Sequence, residues 1–193
     1  MLHSRSIPVL LLLLFAACGN GAEEDRRAVP APAWLTAEVY DSLGAAGARA
    51  IPDDVPAAAA VIYRGRIVTG WNDVNRNANA AGHADINAIT RAMRQFGGAE
   101  AFKRIDRDSL YLVTTWEPCP MCQGAIADEH HLKPENVVVL MLKDDDLLRS
   151  ESRNMKGFAA RHLYVARPDI QQELFCRHPG YRKEFPEKCG PTP

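Results

Sequence analysis

The sequence predicts an α/β domain, one mixed sheet with helices on its faces, and three observations carry that expectation. Segments of helical and alternating period follow one another in the order α-β-β-α-β-α-β, with a less regular α and β extension. Val137 to Leu142 is apolar without interruption, as in a strand covered on both faces. A length of 193 residues suffices for one core of ordinary size and not for two.

Leu35, Val39, Leu43 and Ala46 recur at intervals of four and three, so a first amphipathic helix is expected from about Trp34 to Ala50. After the Pro-rich stretch Ile51 to Pro56, the apolar runs Ala57 to Tyr63 and Ile67 to Trp71 flank Arg64-Gly65-Arg66 and read as a hairpin. Beyond an Asn-rich loop, Ile86, Ile89, Met93 and Phe96 mark a helix from about His83 that Gly97-Gly98 ends. Ser109 to Thr115 alternates as a strand does, and Cys119 to Glu129 reads as a helix started by Pro118. Val137 to Leu142 is the buried strand, and a further strand is expected at His162 to Ala166. Asp169 would cap a last helix through Phe175, followed from His178 by a tail rich in Pro and charge.

The first 33 residues lie outside this pattern. His3 and Arg5 precede an apolar run, Ile7 to Ala17, that is too short for a mature bilayer span and reads as an export signal. It ends Phe15-Ala16-Ala17-Cys18, which resembles the lipobox of bacterial lipoproteins. That likeness implies cleavage before Cys18, acylation of Cys18, and a periplasmic or surface lipoprotein held to a membrane. A plain signal peptide, with Cys18 an incidental thiol, is the alternative. The expected organisation is a signal peptide at 1–17, a polar tether at 18–33, a folded domain at 34–167, and a C-terminal helix and tail at 168–193.

Composition narrows the partners. There are 23 Lys and Arg against 24 Asp and Glu, a net charge of -1, so no footprint for a nucleic acid is visible and none is expected as partner. Five cysteines are too few for a disulfide-built mini-protein, so each needs its own account.

Cys119-Pro120-Met121-Cys122 stands at a strand-to-helix junction, where free amides and the helix dipole favour thiolates. Alone the spacing is ambiguous, since a thioredoxin-like redox pair also opens a helix after a strand, often near a tryptophan, as Trp116 is here. Upstream, His83-Ala84-Asp85 opens the preceding helix. One imidazole and two thiolates neutralise Zn²⁺ and leave a fourth position for water, the arrangement of a catalytic site.

These residues resemble the zinc-dependent cytidine deaminase-like superfamily. His83-Ala84-Asp85 and, 36 residues after the histidine, Pro118-Cys119-Pro120-Met121-Cys122 look like its signature. The phrase Leu110 to Cys122 is most similar to guanine deaminases and tRNA adenosine deaminases, and the likeness runs from about Trp34 to Leu142. It implies a three-layer α/β/α sandwich with a central mixed sheet. It also implies one zinc held by His83, Cys119 and Cys122, and Asn72, eleven residues before the histidine, binding the substrate base. The expected activity is hydrolytic removal of an amino group from a free purine base, a nucleoside or a related amino-heterocycle, by zinc-activated water. Export argues against tRNA, and homo-oligomerisation stays open.

Asp85 departs from that family, which has glutamate there as proton shuttle. One methylene fewer withdraws the carboxylate by about 1.5 Å, a displacement that can cost on the order of a hundredfold in rate. The second reading makes Asp85 a first-turn carboxylate in a protein that binds zinc without turnover. The third is a thiol-disulfide oxidoreductase using Cys119 and Cys122.

Remaining candidates are open to simpler readings. Asp128, Glu129, His130 and His131 would offer a second metal site or a solvated helix end. Asn75, Asn77 and Asn79 would line the pocket or merely fill the loop. Cys176 and Cys189, left over once lipid and metal are assigned, would form a disulfide over the tail in an oxidising compartment or remain unrelated thiols.

Overall fold

The structure is a computed structural model and describes residues 27–129, 132–143 and 161–190. The expected signal, Cys18, His130 and His131 lie outside the described residues, as do the side chains of Asp128 and Glu129.

Helix α1 (Ala37–Ala48) forms on the expected spacing, with Val39, Leu43 and Ala46 buried. Strands β1 (Ala58–Tyr63) and β2 (Arg66–Trp71) make the hairpin. Its turn is tighter than expected, because Tyr63 pairs with Arg66 and leaves only Arg64 and Gly65 at the corner, with φ of 48° and 75°. Two successive left-handed residues match the twist of the flanking strands, which glycine allows freely and arginine tolerates.

Helix α2 (Ala84–Gln95) begins directly after His83 and is stopped by Gly97 and Gly98, both at positive φ. A short helix, α3 (Ala99–Lys103), follows and buries Phe102. Five residues hold too few apolar positions to show a period, so the sequence does not announce it. Strand β3 (Leu110–Thr114) leads to α4 (Pro120–Gly124), which continues as a π turn over Ala125–Glu129. Pro120, not Pro118, takes the first helical position, and Cys119 is the N-cap.

Strand β4 (Val137–Val139) is shorter than the apolar run that predicted it, since the chain bends after Leu140 and the Met141 carbonyl accepts the Glu117 amide. Strand β5 (Leu163–Tyr164) closes the sheet. Helix α5 (Pro168–Arg177) starts at Pro168, and Asp169 does not cap it: its carboxylate takes the Arg167 guanidinium at 3.0 and 2.9 Å. The expected tail instead winds into α6 (Pro179–Glu184) and α7 (Pro186–Cys189). Each proline there begins a helix, where its missing amide costs nothing.

The strand order is β2-β1-β3-β4-β5. Strand β1 is antiparallel to β2 and β3, while β3, β4 and β5 are parallel. Alternation along the strands sends Ala59, Val61, Leu110 and Leu112 toward α2, α3 and the π turn after α4, and Ala58, Ala60, Ile62 and Val113 toward α1. The result is a three-layer α/β/α sandwich with a mixed sheet at its centre. Helix α5 belongs to the α1 layer: Leu174 packs where Gly47 has no side chain, and the buried Gln171 amide donates to the Pro56 carbonyl at 3.0 Å. Cys176 and Cys189 are joined as a disulfide, with Cα atoms 5.2 Å apart, and tie α7 to α5.

Candidate metal centre and active site

Two helix N-termini meet beside the ends of β2 and β3. Helix α2 approaches β2 closely because its facing residues are Ala84 and Ala88 and the strand offers Gly70, where a Cβ would stand 2.5 Å from the Ala84 carbonyl oxygen. That seat brings His83, the N-cap of α2, against the first turn of α4. His83 Nδ1 lies 3.5 Å from Cys119 Sγ and 3.5 Å from Cys122 Sγ, and the sulfurs are 3.6 Å apart. Among the described residues this is the one cluster of three ligand-type side chains that converge.

The triangle fits zinc. Tetrahedral coordination with bonds of about 2.0 Å to nitrogen and 2.3 Å to sulfur requires edges of about 3.5 Å between N and S and about 3.8 Å between the sulfurs. His83, Cys119 and Cys122 are therefore spaced as three side chains that could hold one zinc ion.

The electrostatics agree. Without a metal, the Cys122 thiol hydrogen-bonds to Cys119 and holds its thiol down to about 3, a drop that burial opposes and His83 assists. The same bond, with burial, pushes the Cys122 thiol up, so the pair retains one proton. Contact with Cys119 raises the His83 imidazole above its ordinary value against the effect of burial.

Asp85, in the first turn of α2, is buried, and its Oδ1 has no hydrogen-bond partner among the described residues. Burial raises its carboxyl, while the Thr114 hydroxyl, the Cys122 thiol and the charge of Lys143 pull it back. A buried carboxylate oxygen without a partner is costly, so Asp85 suits a position where a proton or a polar ligand engages it.

Asn72 is placed differently from a freely projecting base reader. Its Oδ1 accepts the Ala84 amide at 2.8 Å and its Nδ2 donates to the Val55 carbonyl at 2.9 Å. It thus holds the start of α2 and keeps one N–H and one lone pair for a ligand. The asparagines of the following loop are engaged within the protein. Asn75 bonds to Asp54 and Asp53, Asn77 donates to Asp73 at 2.7 Å, and Asn79 accepts from the Ala81 amide.

Residues not singled out from the sequence hold the segments around the ligands. Asp73 is buried and accepts from Asn77 and, at 2.9 Å, from Asn87. The buried Glu117 accepts the Lys143 amide at 3.0 Å, and the Gln123 side chain donates to the Pro118 carbonyl at 2.8 Å, so the loop before Cys119 is tied down on both sides. Trp116 lies under Lys143 Nζ, 4.4 Å from the ring centre, and edge-on to Phe175. A buried acid two residues before a CxxC is visible in the sequence, but its partner 26 residues on is not.

Comparison with known proteins bears on this geometry. Residues 38–141 match the family described as the cytidine and deoxycytidylate deaminase zinc-binding region, and the chain belongs to that family. It is 35% identical over 72 residues to a guanine deaminase of Bacillus subtilis (strain 168), covering 37% of this chain and 42% of the relative. It is also 35% identical over 74 residues to a tRNA-specific adenosine deaminase of Buchnera aphidicola subsp. Schizaphis graminum, covering 38% of this chain and 45% of the relative. The chain thus matches less than half the length of these curated relatives. Among solved structures, a guanine deaminase from Nitrosomonas europaea superposes with a TM-score of 0.55 at 25% identity, covering 78% of this chain and 88% of that one.

Proposed function

We propose that this chain is a hydrolytic deaminase of a free purine base, a nucleoside or a related amino-heterocycle. The observation that carries the reading is the metal triangle of His83, Cys119 and Cys122 with the buried carboxylate of Asp85 beside it. Zinc bound there lowers the pKa of water toward neutrality and so supplies a nucleophile. Asp85 takes a proton from the attacking water and hands it to the departing nitrogen. The amino-bearing ring carbon gains the oxygen, its C–N bond breaks, and ammonia leaves. Burial favours this, since it raises the Asp85 carboxyl above its ordinary value and so makes it a better proton acceptor. Asn72 contributes its remaining amide N–H and lone pair to the substrate edge.

The test is ammonia release from a panel of purines, pyrimidines and their nucleosides, with zinc content measured on the same preparation. Release from at least one purine, with about one zinc per chain, is the expected result. A protein holding zinc but inert across the panel would favour the second reading, a zinc-binding member of the fold without turnover, for which the shorter Asp85 is the specific argument. A preparation without zinc, in which Cys119 and Cys122 cycle between dithiol and disulfide, would favour the redox reading.

The site of action proposed is the bacterial cell envelope, with the chain tethered through acylated Cys18. The Leu-rich run ending Ala16-Ala17-Cys18 supports it, and no helix among the described residues is long and apolar enough to cross a membrane. Two acyl chains suffice for stable anchoring. Wild-type protein should therefore sediment with membranes and Cys18→Ala should not; fully soluble wild type after export would count against the tether.

A further inference from the structure

Asp73 lies outside the ligand set, and nothing in the proposed chemistry uses it, yet it is buried at the head of the loop that follows β2. Its carboxylate has two branches. Oδ2 accepts from Asn77 within the loop at 2.7 Å, and Oδ1 accepts from Asn87 on α2 at 2.9 Å. Asn87 Nδ2 also donates to the Trp71 carbonyl at 2.8 Å, and the Asn87 amide donates to the carbonyl of His83 at 2.9 Å. The Asp73 carboxylate thus anchors the side chain of Asn87, the residue whose backbone amide makes the first helical hydrogen bond of α2, to the carbonyl of His83. The space for it is built in: a Cβ at Gly82 would collide with Asp73 Oδ1, and the Asp73 amide donates to the Gly82 carbonyl at 2.9 Å. Asn72, the preceding residue, grips the same helix one turn higher, at the Ala84 amide.

We propose that Asp73 is a positioning residue for the metal centre, holding the first turn of α2, and with it His83, through Asn87. The proposal rests on the metal site described above and not on turnover. Loss of a group that hydrogen-bonds a metal ligand commonly costs 10- to 100-fold in metal affinity, and Asp73 stands one step further out, acting on His83 through Asn87 and the helix. The Asn77 branch serves the loop, and the Asn87 branch serves the histidine.

The experiment is a cobalt(II) titration of the full chain, read by binding affinity and by the visible absorption of the bound ion, which reports ligand geometry. Asn87→Ala and Asp73→Ala should each weaken cobalt binding about 10- to 100-fold and alter the spectrum. Asp73→Asn should stay near wild type, because its amide oxygen still accepts from Asn87 and the Asn77 amide can turn to present its own oxygen. Asn77→Ala, which cuts only the loop branch, should leave affinity and spectrum unchanged. Wild-type binding and spectrum in Asn87→Ala would overturn the proposal. So would Asn77→Ala as damaging as Asn87→Ala, the outcome expected if Asp73 merely orders the loop. Circular dichroism checks that each variant folds, and if Asp73→Ala does not, the Asn87→Ala and Asn77→Ala pair decides. A wild type that takes up no cobalt would remove the metal centre itself, a failure distinct from a wild type and variants that bind alike.

Discussion

Gly70 of β2 lies directly beneath Ala88 of α2, so close that a Cβ on the glycine would fall on the Ala88 amide nitrogen and 2.7 Å from its Cα. The obstacle is helix backbone and not a pliable side chain, so relief requires α2 to lift from the sheet. Gly70→Ala should therefore cost about 1–3 kcal/mol or more in stability, the range for overpacking a tight core. It should also weaken zinc binding, because His83 rides on the same helix. Chemical denaturation and a zinc titration on the variant check both, and an unchanged midpoint with unchanged affinity would refute the close approach.

The ligand assignment predicts stoichiometry and pH dependence together. His83→Ala and Cys119→Ser should fall from about one zinc per chain to near none and melt at lower temperature, since metal binding also ties α2 to α4. In the wild type, Cys119 is already a thiolate at neutral pH, whereas Cys122 keeps its proton and His83 holds one more tightly than usual. Zinc must displace those protons, so affinity should rise as pH rises. Calorimetry in two buffers of different ionisation enthalpy counts the protons released; none released would contradict the shared-proton pair.

Asp85 decides between enzyme and relic. If the site is built around the shorter side chain, Asp85→Asn should abolish ammonia release with zinc retained, and Asp85→Glu should help little or crowd the water. If the site kept dimensions suited to glutamate, wild type should be nearly inert and Asp85→Glu should raise the rate by about a hundredfold. Equal activity in wild type and Asp85→Asn would defeat both, because a carboxamide accepts no proton at neutral pH.

The disulfide between Cys176 and Cys189 spans a sequence separation of 13 residues. Closing a loop of that size restricts the unfolded chain by about 3 kcal/mol, so the double variant Cys176→Ser/Cys189→Ser should lose stability of that order. The loss should centre on α6 and α7, detectable as faster hydrogen exchange there. Zinc content should be unchanged, since neither cysteine belongs to the triangle.

Much of this was legible in the one-dimensional order of residues, because short-range spacing carries it. The layer order follows from periods of two and 3.6 along each segment. Cys119 and Cys122 share one helical turn, so their partnership is written in their separation of three, and the departure at Asp85 is visible as soon as the histidine is aligned with its signature. The resemblance supplied His83 as third ligand, and the packing of α2 on β2 places its imidazole 3.5 Å from both sulfurs.

Tertiary structure decided the rest, and in each case through a contact between residues distant in sequence. The carboxylate of Asp73 meets Asn87 across 14 residues, Lys143 reaches Glu117 across 26, and Gln171 reaches Pro56 across 115. None of these pairs has a period or a spacing to betray it. The two uses of Asn72 are of the same kind: the likeness names it a base reader, but only the packed hairpin, turn and helix show its amide already engaged with Ala84 and Val55. Local pattern fixes which face of an element is apolar, whereas burial obliges polar groups to find whatever partner the packed chain brings near, and that choice is made in three dimensions.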